Sequence, residues 1–300
     1  METRRTIKKW CFLGLMTFLA PMLVIVLGTV ACDLIEATGL DGGRLRAVSF
    51  NAHDCLCVEG ESTLLRARIV RDEYRRRGVA GCIVRFNLGE KLLGESKSDE
   101  LGYVQTKWSP PKLGDYVVKV HFAGASLYGK AEDELLCSVR PKDRRTIIVD
   151  IDNTLAVTRD WYFLDDFDKA PLVPCSLDSL TTLADRYAII YLTARMVRHR
   201  RKTLQWLAAK GFPRNPAIFL ELDKYPRYSQ EKYKKEAIAR LKTKCGRIVA
   251  GVGDKESDGK AYLANGLRAI ILDNRPEEGD FEYVSSWPEI EQRLLAGLDV

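Results

Sequence analysis

Thr146-Ile147-Ile148-Val149-Asp150-Ile151-Asp152-Asn153-Thr154-Leu155 is the stretch on which the reading of this 300-residue chain turns. Its β-branched start disfavours helix and suits a pleated strand. The run is apolar without alternation, as expected of a strand buried on both faces in a parallel sheet. Two carboxylates follow at once, two residues apart. At a strand end, Asp150 and Asp152 can point into one crevice, where one can attack an electrophile and the other can carry protons.

Outward from this stretch the pattern repeats. Ala188–Leu192, Ala217–Leu220, Arg247–Val252 and Ala269–Leu272 are further short apolar runs. Helical periodicity lies between them, over Ser176–Arg186, Arg200–Lys210 and Gln230–Thr243. Strands alternating with helices predict a Rossmann-like, three-layer α/β/α domain over residues 144–300, its parallel sheet covered on both sides. In such a sheet the chemistry collects at the C-terminal strand ends. There stand Thr193 and, two residues on, Arg195; Gly253 and Asp254 follow another run, with Asp258 four residues later. Lys234 and Lys235 open the third helix. Lys234 shares a face with Ile238 and Leu241 at i+4 and i+7 and is predicted to point inward, whereas Lys235 faces solvent.

The ordered set D-x-D-x-T (150–154), Thr193, Lys234 and G-D-x-x-x-D (253–258) resembles the four motifs of the haloacid-dehalogenase-like (HAD) superfamily. The resemblance implies a phosphatase in which Asp150 is the nucleophile and Asp152 the general acid and base. Thr193, Arg195 and Lys234 would hold the phosphoryl group, with Thr193 and Lys234 also counted as catalytic. Asp150, Asp152 (through its backbone carbonyl), Asp254 and Asp258 would form the surroundings of a Mg²⁺ ion. A hard cation with oxygen ligands relieves the repulsion between clustered carboxylates and a phosphate dianion. Within the superfamily, Tyr191-Leu-Thr-Ala-Arg195, Lys210-Gly-Phe-Pro213 and Gly251-Val-Gly-Asp-Lys-Glu-Ser-Asp258 look like the domain shared by lipins and phosphatidylinositol-transfer-type proteins. That likeness implies a phosphate-ester substrate such as phosphatidate. Too few residues separate the motifs for a large cap, so an open site and a large substrate are expected. A polynucleotide or nucleotide phosphatase is the alternative. Nucleic acid is disfavoured because no aromatic stacking platform accompanies the arginines after Arg195.

Upstream, residues 45–140 read as short strands broken by turns, for example Ser62–Val70, Val79–Asn87, Tyr103–Trp108, Tyr116–Phe122 and Glu134–Val139. The order Gly78-Val-Ala-Gly-Cys-Ile-Val-Arg-Phe86, Ser98-Asp-Glu-Leu-Gly-Tyr103 and Leu113-Gly-Asp-Tyr-Val-Val-Lys-Val120 resembles bacterial Ig-like domains. It implies an all-β sandwich acting as a spacer, or, as a non-enzymatic alternative, a surface binding module. Residues 33–44 read as a linker. Within residues 1–32, four cations precede the uncharged run from Trp10 to Ala31, which matches a bilayer core in length. A membrane-anchor helix, a cleaved signal, or a lipoprotein attached at Cys32 is expected, with the rest membrane-associated and extracytoplasmic. In that setting a disulfide joining Cys82 or Cys137 to Cys55 or Cys57 is an option, against free buried thiols.

Composition bounds the rest. With 46% apolar and 29% charged residues the chain is globular, not disordered. Its net charge of +6 favours anionic partners without selecting one. Three histidines and unmatched cysteine spacing leave no zinc-finger pattern.

Overall fold

The computed structural model describes residues 45–72, 76–158, 167–221, 229–275 and 279–297. The expected anchor, linker and Cys32 lie outside them, and among the described residues no helix is long and apolar enough to cross a membrane. Ala47–Ala125 and Gly129–Val300 belong to one compact unit. In the second unit, the described residues show a bridge between Arg46 and Tyr128.

The first eight strands form two sheets. One is antiparallel, in the order β1 (Val48–His53), β3 (Thr63–Arg71), β6 (Tyr103–Trp108). The other runs β2 (Cys55–Val58), β8 (Ala131–Arg140), β7 (Gly114–Phe122), β4 (Ile83–Leu88), β5 (Lys91–Lys97). Alternation drives this packing: in β3, Leu65, Ala67 and Ile69 are buried, as are Val84 and Phe86 in β4 and Val118 and Val120 in β7. The run at Val79 does not open a strand as expected. Gly78 and Gly102 meet there so closely that a Cβ on Gly102 would lie 2.9 Å from the Gly78 Cα, and pairing resumes only at Ile83. β2 and β8 are parallel and place Cys55 opposite Cys137, with a hydrogen bond between the thiols. Cys82 lies elsewhere, its amide bonded to Ser98. All six described cysteines are free.

The six-stranded sheet is entirely parallel, in the order β11 (Ala217–Leu220), β10 (Ala188–Met196), β9 (Arg145–Val149), β12 (Arg247–Gly253), β13 (Arg268–Leu272), β14 (Glu282–Val284). The unbroken apolar run of β9 is explained by burial on both faces. Ile147 and Val149 enter one core with α1 (Ser176–Arg186), α2 (Arg200–Ala209) and α5 (Trp287–Ala296). Ile148 enters the other with α3 (Gln230–Lys242) and α4 (Glu256–Leu263). The three-layer arrangement is the one expected from the sequence, with β14 as an additional edge strand.

The sandwich packs along the β11 edge of the large sheet. Asp54, between β1 and β2, accepts from Leu136 N (2.9 Å), from Ala217 N (3.1 Å) and from the Arg200 guanidinium (2.7 Å). Tyr103 donates to Glu221 (2.7 Å), which also meets His53 at 2.8 Å. Leu56 enters the apolar core under α3 and α4. These are the interactions that satisfy a sheet edge otherwise open to solvent.

Candidate active site

β9 ends at Val149, and the chain turns immediately. Asp150 N donates to Val252 O of the neighbouring strand at 2.9 Å, tying the first acidic residue to the centre of the sheet. Leu155 N and Ala156 N then both donate back to Ile151 O, at 2.9 and 3.0 Å. The turn requires a left-handed backbone at Asn153 (φ 53°), a conformation asparagine tolerates better than most residues. The Asn153 side chain accepts from Thr158 N and hydrogen-bonds Asp254, and Trp287 Nε1 donates to Thr154 O at 2.7 Å. The two aspartates are therefore carried on a rigid, buried turn.

Asp150 and Asp258 flank a common cation. Lys234 Nζ lies 3.0 Å from Asp150 Oδ2 and 2.7 Å from Asp258 Oδ1, with its side chain only 1% exposed. Lys234 is on the buried face of α3, beside Tyr233, Ala237 and Ile238, and Lys235 is exposed, as the helical phase predicts. Burial alone would lower the Lys234 pKa, but the Asp150 and Asp258 carboxylates outweigh it and hold the ammonium well above its usual range.

The remaining carboxylate oxygens are short of partners. Asp150 Oδ1, Asp254 Oδ1 and Asp258 Oδ2 are buried and accept no hydrogen bond. Each of the three residues offers an oxygen, and these atoms lie within 4.8 Å of one another. Burial pushes Asp150 up to about 8; Lys234 opposes this, and Asp258, Asp152 and Asp254 add to it. Asp254 is pushed up to about 6 by burial and by Asp258. An all-oxygen donor set with orphaned buried oxygens fits a hard divalent cation such as Mg²⁺ and not a soft metal. Gly253 is required beside it. A Cβ there would come within 2.5 Å of Asp258 Oδ2.

Asp152 sits apart from this triad. Its carboxylate receives Arg195 Nε at 3.1 and 3.0 Å and Arg195 Nη2 at 2.8 Å, a bidentate grip. Thr193 donates to Asp152 Oδ2 at 3.4 Å and accepts from Arg195 N at 3.1 Å. Arg195, expected to bind substrate, is thus buried against Asp152, with its guanidinium carbon 3.4 Å from the centroid of the Phe167 ring. Phe167 and the side chain of Asn153 complete the site without having been given a role in the sequence reading. The left-handed turn at Asn153 had a local signal. Phe167 had none, because it reaches Arg195 through tertiary packing.

The structure therefore brings Asp150, Lys234, Asp254 and Asp258 into one cluster and Asp152, Thr193 and Arg195 into an adjoining one. Among the described residues no inserted domain stands between β9 and β10; only a 3-10 turn (Phe167–Lys169) and α1 do.

Residues 147–270 match the family described as PITM 1-3, LNS2 domain. No curated protein matches the chain. Among solved structures, D,D-heptose 1.7-bisphosphate phosphatase from B. bronchiseptica, complexed with magnesium and phosphate, is 17% identical with a TM-score of 0.38, covering 51% of this chain and 99% of that one. The Pnkp1/Rnl/Hen1 RNA repair complex gives 20% identity and a TM-score of 0.36 over 40% of this chain, which spans only 39% of that chain. A CARDB domain from Pyrococcus furiosus is 14% identical with a TM-score of 0.22, covering 31% of this chain and 92% of that one. Over residues 147–270 the chain is similar to LNS2 domains, which supports a HAD-like phosphatase domain there.

Proposed function

We propose that the chain is a Mg²⁺-dependent phosphomonoesterase working through an aspartyl-phosphate on Asp150. The observation that carries this reading is the buried Asp150–Lys234–Asp258 bridge, in a cluster where Asp150, Asp254 and Asp258 offer carboxylate oxygens within 4.8 Å of one another and each keeps one buried oxygen without a partner. Asp150, Asp254 and Asp258 would hold the cation, which when bound supplies positive charge to screen the phosphoryl oxygens and keeps Asp150 ionised.

The chain's own residues then divide the work. Asp150, anchored through its amide to β12, presents a carboxylate oxygen to phosphorus. Lys234 neutralises charge growing on the equatorial oxygens, and the Thr193 hydroxyl, now turned to Asp152, donates to one of them. Asp152 gives a proton to the leaving oxygen and later takes one from the water that hydrolyses the aspartyl-phosphate. Arg195 fixes the orientation of that carboxylate. The short spacing between the motifs, with no inserted domain between β9 and β10 among the described residues, favours a large substrate, and phosphatidate at a membrane held by the N-terminal segment, on the extracytoplasmic side, is the one to test first. The sandwich belongs to the same protein as an Ig-like domain that walls one side of the phosphatase.

The test compares the full chain with Asp150→Asn for phosphate release from an aryl phosphate and from phosphatidate in mixed micelles, with Mg²⁺ or with chelator. The reading expects cation-dependent release that the substitution abolishes, and a lower KM for phosphatidate. Release that survives Asp150→Asn would contradict the nucleophile.

A further inference from the structure

A sizeable cleft lies along the seam between the sandwich and the phosphatase domain. It encloses about 860 Å³. One wall comes from β1, β7 and β8 and the other from the segment that follows β10, Val197 to Arg201. Arg76 and Lys119 project from the sandwich side, and Arg198 and Arg201 from the other.

The acids in this cleft are largely committed. Asp133 accepts from Ala52 N (3.0 Å), Glu134 N (2.8 Å) and Arg200 (3.4 Å), and Glu132 pairs with His121 at 3.7 Å. Arg200 in turn is held by Asp54. Asp72 and Glu134 are the remaining carboxylates along the lining, against the four cations.

Arg76 is the most constrained of those cations. Its Nη2 donates to Ser49 Oγ at 2.8 Å and more weakly to Asn51 Oδ1 at 3.4 Å, while its Nε is buried with no acceptor. Its backbone is left-handed, with φ 44°, an arrangement that costs energy in an arginine. Burial lowers its pKa; Asp72 opposes this, and Arg198 across the cleft lowers it further. Arg198 is exposed on the opposite wall, its Nε donating to His199 Nε2 at 3.1 Å, and the like charge it adds beside Arg76 is one that a bound anion would offset.

A short segment joins the cleft to the candidate site. Arg198 stands three residues beyond Arg195, which grips Asp152, and three residues of extended chain span at most about 11 Å. We propose that this cleft is a second phosphate subsite, in which Arg76, Arg198 and Arg201 hold a further phosphate carried by the same substrate as the one removed at Asp150. The substrate class is then a phosphomonoester with a further phosphate on its body. This rests on the phosphatase reading. The sandwich, by contributing Arg76, becomes part of substrate recognition.

The test uses the full chain with alkanediol bisphosphates of graded length and the corresponding monophosphates, beside an aryl phosphate. Arg76→Gln and the pair Arg198→Gln/Arg201→Gln are measured against the unaltered protein. A bisphosphate of matching length is expected to have a KM at least about 10-fold below its monophosphate, since paired guanidinium–phosphate bonds are among the strong ones. The advantage should disappear in both variants, with kcat and the aryl-phosphate KM unchanged. Equal KM for bisphosphate and monophosphate, or an advantage that survives the substitutions, overturns the subsite. If no ester is hydrolysed, the phosphatase reading fails separately, and calorimetric binding of the bisphosphate to Asp150→Asn protein decides the cleft. Binding weakened about 10-fold by the arginine substitutions supports it, and unchanged binding overturns it.

Discussion

Cation binding at the carboxylate triad should be strongly coupled to pH. Without a cation, Asp150 is held up near 8 and Asp254 near 6. Both must be ionised to serve a hard cation. At pH 8 about half of Asp150 and nearly all of Asp254 are ionised; at pH 6 the fractions are about 1% and one half. The product falls about 100-fold, so Mg²⁺ affinity should fall by the same factor between pH 8 and pH 6. At pH 7 binding should release about one proton, most of it from Asp150. Calorimetry at pH 7 in buffers of different ionisation enthalpy reads the proton count, and titrations from pH 6 to 8 read the affinity. The same shift fixes the sign for stability. Asp150 has its folded pKa raised, so its contribution is present in full below about pH 4 and is lost as pH climbs through about 8. Cation-free protein should therefore melt at lower temperature at pH 8 than at pH 5, and Asp150→Asn should flatten that slope. An affinity that stays level from pH 6 to 8, with no proton released, would refute the argument that the cation displaces protons from these buried carboxylates.

Three further outcomes are expected. Gly253→Ala places a methyl 2.8 Å from Asp258 Cβ, so Asp258, which holds Lys234, or the backbone beside it must shift; a loss of about 1–3 kcal/mol in chemical unfolding is expected, with weakened Mg²⁺ binding. Asp54→Ala removes the acceptor of Leu136 N, Ala217 N and Arg200 and should cost about 3–5 kcal/mol, roughly 10 °C in thermal unfolding. Adding Arg200→Met to it should recover a good part, because the stranded charge is then gone. Treating the full chain with oxidised glutathione should link Cys55 to Cys137, which stand opposite each other in β2 and β8, with two glutathione thiols released per bond formed; peptide mapping that shows a link to Cys82 instead would contradict the register.

The candidate site was legible in the sequence to an unusual degree because its residues sit at strand ends and on one helical face. Asp150, Asp152, Thr193 and Asp254 follow apolar runs whose termination is visible in the chain itself. Lys234 was separable from Lys235 by helical phase alone, and the buried face of α3 carries it. Strands with weak signals were not legible. β5 (Lys91–Lys97) reads as polar loop because it lies at an exposed sheet edge, and α4 and α5 are short helices whose apolar faces are completed by the sheet.

What the sequence determined by itself is therefore local: which runs must be buried, where each strand stops, and which side of a helix faces inward. Those follow from the chain's own periodicity. The tertiary structure decided how the pieces share charge. It divided seven expected site residues into a triad around Lys234 and a second cluster in which Arg195 is turned from substrate to Asp152. It also docked the sandwich on the β11 edge through Asp54 and Glu221. Residues 82 to 163 positions apart meet in the Asp54 contacts, and Arg76 is brought to a cleft with Arg198. No periodicity within one segment encodes such encounters, because the energy of a buried charge depends on which partner the fold delivers to it.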